Sequence, residues 1–221
     1  MSQLVTVFAQ DGIVMGADSR ISYDNSYGKY HFDSSYKLFC TSAGVGISTC
    51  GNAEINGTRI QNYIADFIDR NSEESNPEVI ANLLLDEFKN YDLYTTFHVC
   101  GYHDGTPKGY RVCTKSPEVV DKREFIPGCI WDGDNYVVSR LLNKCYNGNA
   151  DGTPGDLAPY RQVPWELMTV IEATDIVEFM IDTACKMSKY HRNQPTVGGP
   201  IDILVIRKNG ATWYKRKGND Y

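Results

Sequence analysis

The sequence predicts an α+β protein, built as a four-layer αββα sandwich of two antiparallel sheets with helices outside each. Three observations lead there. The segments run strands, two helices, strands, two helices, strands. The strands are joined by short turns, which makes neighbours antiparallel. Leu4 to Ala9 and Ile201 to Ile206 are apolar on both faces, so each sheet must be covered on both sides.

The opening hairpin anchors the chain. Leu4 to Ala9 and Ile13 to Ala17 flank Gln10-Asp11-Gly12, and Asp-Gly between β-rich runs signals a tight turn. Residue 2 is therefore carried on the end of a buried strand. The second strand leads into Asp18 and Arg20. A polar excursion follows from Ile21 to Ser35. Tyr36 to Thr41 and Gly44 to Cys50 read as a second strand pair. Ile60, Tyr63, Ile64, Phe67 and Ile68 then form one apolar helical stripe. Asn76-Pro77-Glu78 opens the next helix, with proline at its first position and an acid in its first turn.

Strands are expected at Thr95 to Tyr102, Tyr110 to Thr114 and, more weakly, Phe125 to Cys129. Asp132-Gly133-Asp134 introduces a third helix with Val138, Leu141, Leu142 and Cys145 on its stripe. Asn147 to Trp165 reads as a long loop. A fourth helix spans about Ala173 to Tyr190. The chain closes in a hairpin, Ile201 to Arg207 and Ala211 to Lys215, turning at Lys208-Asn209-Gly210. No repeat or linker interrupts this order, so residues 1–221 are expected to form a single domain.

Composition narrows the function. A net charge of −6 argues against a nucleic-acid or anionic-membrane partner. No stretch has the length of a membrane span, and the start lacks the pattern of a signal peptide, so the protein is expected in the cytoplasm. Seven cysteines in irregular spacing form neither a zinc module nor a disulfide framework, and no metal or other cofactor is expected. The four histidines, His31, His98, His103 and His191, show no ligand or triad spacing and read as surface or satisfied core.

Three stretches resemble the proteasome β-type subunits and bacterial proteasome-like proteins of the amino-terminal-nucleophile hydrolase superfamily. Gly12-Ile13-Val14-Met15-Gly16-Ala17-Asp18-Ser19-Arg20 resembles the first hairpin of that family. Lys37-Leu38-Phe39, Gly44-Val45-Gly46 and Cys50-Gly51-Asn52-Ala53 resemble its lysine strand and the small-residue turn after it. Val197-Gly198-Gly199-Pro200-Ile201-Asp202 resembles the entry to its late strands. Similarity covers about the first fifty and last twenty-five residues.

The resemblance implies the same sandwich and a site carried over by position. Counting back from Asp18 places the family's nucleophile on Ser2. Met1 alone precedes it here, and methionine before a small serine is readily removed. Ser2 would then supply both hydroxyl and α-amine base, Lys37 the cation beside them, Asp18 its partner, and the Gly51 N–H an oxyanion donor. Thr49 falls at a specificity-pocket position. The family's supporting Asp-x-x-Ser is replaced by Asn193-Gln194-Pro195-Thr196, where only Thr196 could stand in. Its other supporting serine falls near Gly128-Cys129, where there is none. The family also implies a homo-oligomeric ring or spiral, with Asn147 to Trp165 and Ile21 to Tyr36 as candidate subunit contacts. An unfoldase partner is not identified.

Each residue has a plainer reading. Asp18 could cap a turn, Lys37 could guard an edge strand, Gly51 could be a turn glycine, and Thr49 an ordinary strand residue. The expected activity is amino-terminal-serine amide hydrolysis, most naturally of peptides. The alternatives are a non-peptide amidohydrolase or a non-catalytic ring or scaffold subunit.

Overall fold

A computed structural model describes residues 2–26, 28–122, 126–144, 146–151, 153–158, 162–191 and 195–218. In chain order the elements begin with β1 (Gln3–Ala9), β2 (Gly12–Ala17), β3 (Ile21–Asn25), β4 (Gly28–Phe32), β5 (Leu38–Cys40), β6 (Gly46–Gly51), β7 (Glu54–Ile55) and β8 (Thr58–Arg59). Helices α1 (Ile60–Arg70) and α2 (Pro77–Phe88) follow. Next come β9 (Thr95–His103), β10 (Thr106–Cys113), β11 (Glu118–Asp121), β12 (Gly128–Gly133) and α3 (Asn135–Leu142). The chain ends with β13 (Tyr146–Gly148), β14 (Pro154–Leu157), a 3-10 turn (Trp165–Leu167), α4 (Val170–Ser188), β15 (Asp202–Arg207) and β16 (Gly210–Lys215).

Two five-stranded antiparallel sheets hold the molecule together. Their orders are β12-β1-β2-β15-β16 and β11-β10-β9-β6-β5. The remaining strands pair as three small hairpins. One apolar cluster, with Val5, Val7, Val14, Val177 and Ile181, joins the first sheet to α4. A second, with Ile64, Phe67, Leu84, Phe97 and Val99, joins the other sheet to α1 and α2. A third joins sheet to sheet through Leu4, Phe8, Ile13, Met15, Leu38, Cys50, Cys100 and Leu204. The double-sided apolar strands of the sequence are thus buried on both faces.

The opening hairpin forms for a different reason than the Asp-Gly motif suggests. Ala9 pairs with Gly12 across the two-residue loop Gln10-Asp11, and Gly12 is not at positive φ. A Cβ on Gly12 would lie 2.6 Å from Val170 Cγ1, so this glycine makes room for the start of α4. Asp11 Oδ1 accepts the Val170 N–H at 2.7 Å, fixing the turn to that helix end. The turn chemistry expected here occurs instead between β9 and β10, where Asp104 and Gly105 both have positive φ.

Other boundaries move by a few residues. Asn76 caps α2, its side chain accepting the Glu78 N–H at 2.9 Å, with Pro77 at the first position. Helix α4 begins at Val170, ahead of the expected Ala173, because Thr169 and Glu172 form a capping box. The Ile21–Ser35 excursion contains the β3–β4 hairpin, and the Asn147–Trp165 stretch overlaps the β13–β14 pair and meets the 3-10 turn. The weak strand expected from Phe125 is β12, running Gly128–Gly133; Phe125 and the stripe residue Cys145 lie outside the described residues. No helix among the described residues is long and apolar enough to cross a membrane.

Candidate functional site

The site gathers where the start of β1, the end of β2, the approach to β5 and the end of β6 meet. Ser2 precedes β1 and is 5% exposed. Its carbonyl accepts the Asp134 N–H at 2.7 Å, which extends the β1–β12 ladder by one residue. Ser2 is therefore held by the first sheet and does not trail into solvent.

Asp18, just past β2, is fully buried, and Lys37, just before β5, is 5% exposed. Lys37 Nζ donates to Asp18 Oδ1 at 2.8 Å and to the Arg20 carbonyl at 2.5 Å. The same Asp18 oxygen accepts the Gln3 N–H at 3.0 Å. Its other oxygen accepts the N–H groups of Arg20 at 3.2 Å and Gly198 at 3.0 Å. A buried carboxylate bonded on both oxygens and matched to one cation is a stable arrangement; either partner alone would be costly. The depth of Lys37 sets aside its reading as a surface guard on an edge strand. Arg20 turns away from this pair. Its guanidinium meets Asp33 in a two-bond fork, each bond 2.6 Å.

Two clefts meet at Ser2. The smaller is lined by Ser2, Lys37, Thr49, Cys50, Gly51 and neighbours from β3 and the turn after β6. The larger is lined by Ser2, Cys50, Gly51, Tyr94, Thr96, Asp132, Gly133 and Asn135 among others. Gly51 lies on both. It has φ +116°, and a Cβ there would stand 2.0 Å from the Tyr94 carbonyl, so only glycine fits. Gly133 is constrained likewise: its Cβ would fall 1.9 Å from the Ser2 carbonyl, at φ +102°. The Thr49 N–H bonds the Lys37 carbonyl at 2.9 Å, while its buried hydroxyl has no protein partner.

Thr196 lies half-buried, its N–H held by Ser188 Oγ at 3.1 Å, and it lines neither cleft. What its loop delivers to Asp18 is the Gly198 N–H. Asn193 and Gln194 lie outside the described residues. Cys50 borders Gly51, but burial pushes its thiol up to about 12, so it stays neutral and a poor nucleophile.

The sequence reading missed a second charged group at the site. Asp132 accepts Arg111 Nε on Oδ2 at 2.8 Å and Arg111 Nη2 on Oδ1 at 2.9 Å. His98 Nε2 lies 3.0 Å from Oδ2, and His98 Nδ1 lies 3.1 Å from Thr6 Oγ1. A carboxylate only accepts, so Nε2 carries the proton, and the Thr6 hydroxyl can serve Nδ1 as donor or acceptor. Burial pushes the Asp132 carboxyl upward, yet the bonds from His98 and Arg111 outweigh it and hold it well below the usual range. His98 is a satisfied core histidine, as expected, but one tied to the cleft. Asp132-Gly133-Asp134 does open a helix, with Asp134 as its cap. Only the β1–β12 register reveals its other contact. Among the described residues no group of three or more metal-ligating side chains comes together.

The fold is a proteasome-like one, similar to that of Anbu. A solved structure of a mutant of Anbu from Hyphomicrobium sp. strain MC1 matches 98% of this chain and 86% of its own, with TM-score 0.62 and 14% sequence identity. No protein-family model matches the chain, and no curated protein does.

Proposed function

We propose that this chain is an amino-terminal-serine amide hydrolase acting on peptides, with Ser2 as nucleophile once Met1 is removed. The reading includes a single domain whose two sheets stack face to face with helices outside, as a four-layer sandwich. The three apolar clusters support that stacking. The observation that carries the functional reading is the Asp18–Lys37 pair, buried beside a cleft that Ser2 and Gly51 also line.

The chemistry follows from the residue types. A hydroxyl needs an adjacent base to attack a carbonyl. A free α-amine, with an unperturbed pKa of about 7.7–8.0, is substantially neutral near physiological pH. The Ser2 Oγ proton passes to that amine and Oγ bonds to the amide carbon. The Gly51 N–H donates to the resulting oxyanion, an interaction worth about 3 kcal/mol in other hydrolases. The carbon–nitrogen bond then breaks and the leaving amine takes that proton from the α-ammonium. Water attacks the acyl-Ser2 ester and gives its proton to the α-amine. The ester bond breaks as Oγ recovers a proton. Lys37 keeps the amine neutral by its charge, and Asp18 keeps Lys37 in place. The smaller cleft receives the acyl-side residue, with the unpartnered Thr49 hydroxyl as a contact. Thr196 is kept as a supporting residue of the Asp18 loop.

The assembly expected is a homo-oligomer in the cytoplasm; no cofactor enters the reaction. An epoxyketone probe, which captures a terminal hydroxyl and amine together, tests this reading. Intact-mass analysis should find the mature chain starting at Ser2 and one adduct on it. Retained Met1 in the natural protein, with no adduct, favours a non-catalytic ring or scaffold subunit.

A further inference from the structure

Ser2 lies between two carboxylate–cation pairs, and only one of them belongs to the mechanism above. The second is Asp132 with Arg111 and His98. Strand register relates it to Ser2. Leu4 pairs with Asp132 and Gln3 with Gly133, and the Asp134 N–H reaches the Ser2 carbonyl at 2.7 Å. Side chains two apart on a strand share a face, so Ser2, Leu4 and Asp132 all face the second sheet. Ser2 and Asp132 are then diagonal cross-strand neighbours, roughly 7–8 Å apart. A gap of that size is one that a single water can bridge, and the larger cleft opens there with both residues in its wall.

Asp132 is also fixed in direction. Both its oxygens are bonded by side chains of β9 and β10, and the 0%-exposed His98 ties it to Thr6 of β1. Three strands therefore hold one carboxylate beside the chain start. Cys50 lines both clefts, with Lys37 in the wall of one and Asp132 in the wall of the other.

We propose that Asp132 is a positioning residue for the Ser2 α-amine, reaching it through one water and raising its basicity against the opposing charge of Lys37. This rests on the Ser2 reading above. When the amine takes the Oγ proton it becomes an ammonium, and its N–H donates to the water that donates to Asp132. When the proton leaves for the departing amine, the same contact relaxes. Asp132 itself neither gains nor loses a proton. The charged and titratable groups around Ser2 are Asp18 and Arg20 past β2, Tyr36 and Lys37 before β5, Cys50 on β6, Tyr94 before β9, His98 on β9, Arg111 on β10, Asp132 on β12 and Asp134 after it. Removing Asp132 weakens the base while leaving the Asp18–Lys37 pair untouched.

The test reads the amine directly. Protein beginning at Ser2 is labelled with a limiting amine-acylating reagent from pH 5 to 9, and the labelled terminus is quantified by mass spectrometry. Asp132→Asn should lower the midpoint of amine reactivity by about one pH unit. Asp132→Glu should restore most of it. Arg111→Gln, which removes the cation beside the carboxylate, should raise it. Opposite shifts from the two partners are a signature that loss of packing does not give. Should Asp132→Asn fail to fold, Arg111→Gln and the double variant carry the test. The acid limb of the peptide-hydrolysis rate should move with the midpoint, and the maximal rate of Asp132→Asn should fall about tenfold, part of the roughly 10²–10⁴-fold that base catalysis supplies. Midpoints that coincide in all variants overturn the proposal. The Ser2 reading fails separately, by absence of hydrolysis in the wild type, while the amine titration still reports on Asp132.

Discussion

The two ion pairs around Ser2 are built in different ways. Asp18 has no exposed surface and receives three backbone N–H groups besides the Lys37 ammonium. Asp132 keeps 15% of its side-chain surface, and its carboxylate is held by the side chains of two other strands. The first pair is woven into the main chain of the opening hairpin and the Gly198 loop. The second is a side-chain network that one substitution can take apart. Backbone donors hold Asp18 in place whatever happens to one neighbour; Asp132 depends on the neighbours themselves.

That contrast ranks the expected effects. Lys37→Ala strikes the deeper pair and should have the largest. It leaves a fully buried carboxylate without its cation, a loss of roughly 3–5 kcal/mol in denaturant unfolding, together with loss of hydrolysis. If Lys37→Ala left both unchanged, the pair would be neither structural nor functional. Gly51→Ala comes next. The left-handed backbone and the 2.0 Å approach to the Tyr94 carbonyl force the β6 end to move, costing about 1–3 kcal/mol. Turnover should fall more than apparent substrate affinity.

Acid separates the pairs further. The Asp132 carboxyl lies below its unfolded value, so its bonds contribute stability that is present above about pH 4. That contribution is lost as pH falls toward the depressed folded value. Urea midpoints taken from pH 6 to pH 3 should therefore fall less in Asp132→Asn than in wild type. Equal slopes would remove the charge from the Asp132–Arg111–His98 network. Finally, Lys29→Ala breaks a solvent-exposed pair with Asp24, both side chains more than half exposed, and should change neither stability nor turnover.

The same contrast explains what could be read from the sequence. Ser2, Asp18 and Lys37 flank the opening hairpin and the start of β5, close together in the chain, so a local motif with fixed spacing carries them. Gly51 follows on the next strand for the same reason. Asp132 reaches Ser2 across 130 residues of chain through strand pairing, and the sequence alone offers only a helix-opening Asp-Gly-Asp. His98 likewise has no sequence partner; Thr6 and Asp132 come to it only when two sheets pack. The helices were legible from their stripes, and the early start of α4 could have been found from Thr169-x-x-Glu172. The Asp11-Gly12 turn was predicted in the right place by a mechanism that Gly12 does not use, since there the missing side chain is what matters. Local chemistry writes itself into spacing, whereas a network assembled by register does not.

The central claim is that Ser2 is the reacting residue. Hydrolysis of a fluorogenic peptide panel by protein beginning at Ser2, beside its Ser2→Ala counterpart, tests it most directly. The account predicts turnover of at least one peptide by the first and none by the second. Equal rates in both, or no turnover by a correctly trimmed chain across the whole panel, would contradict it.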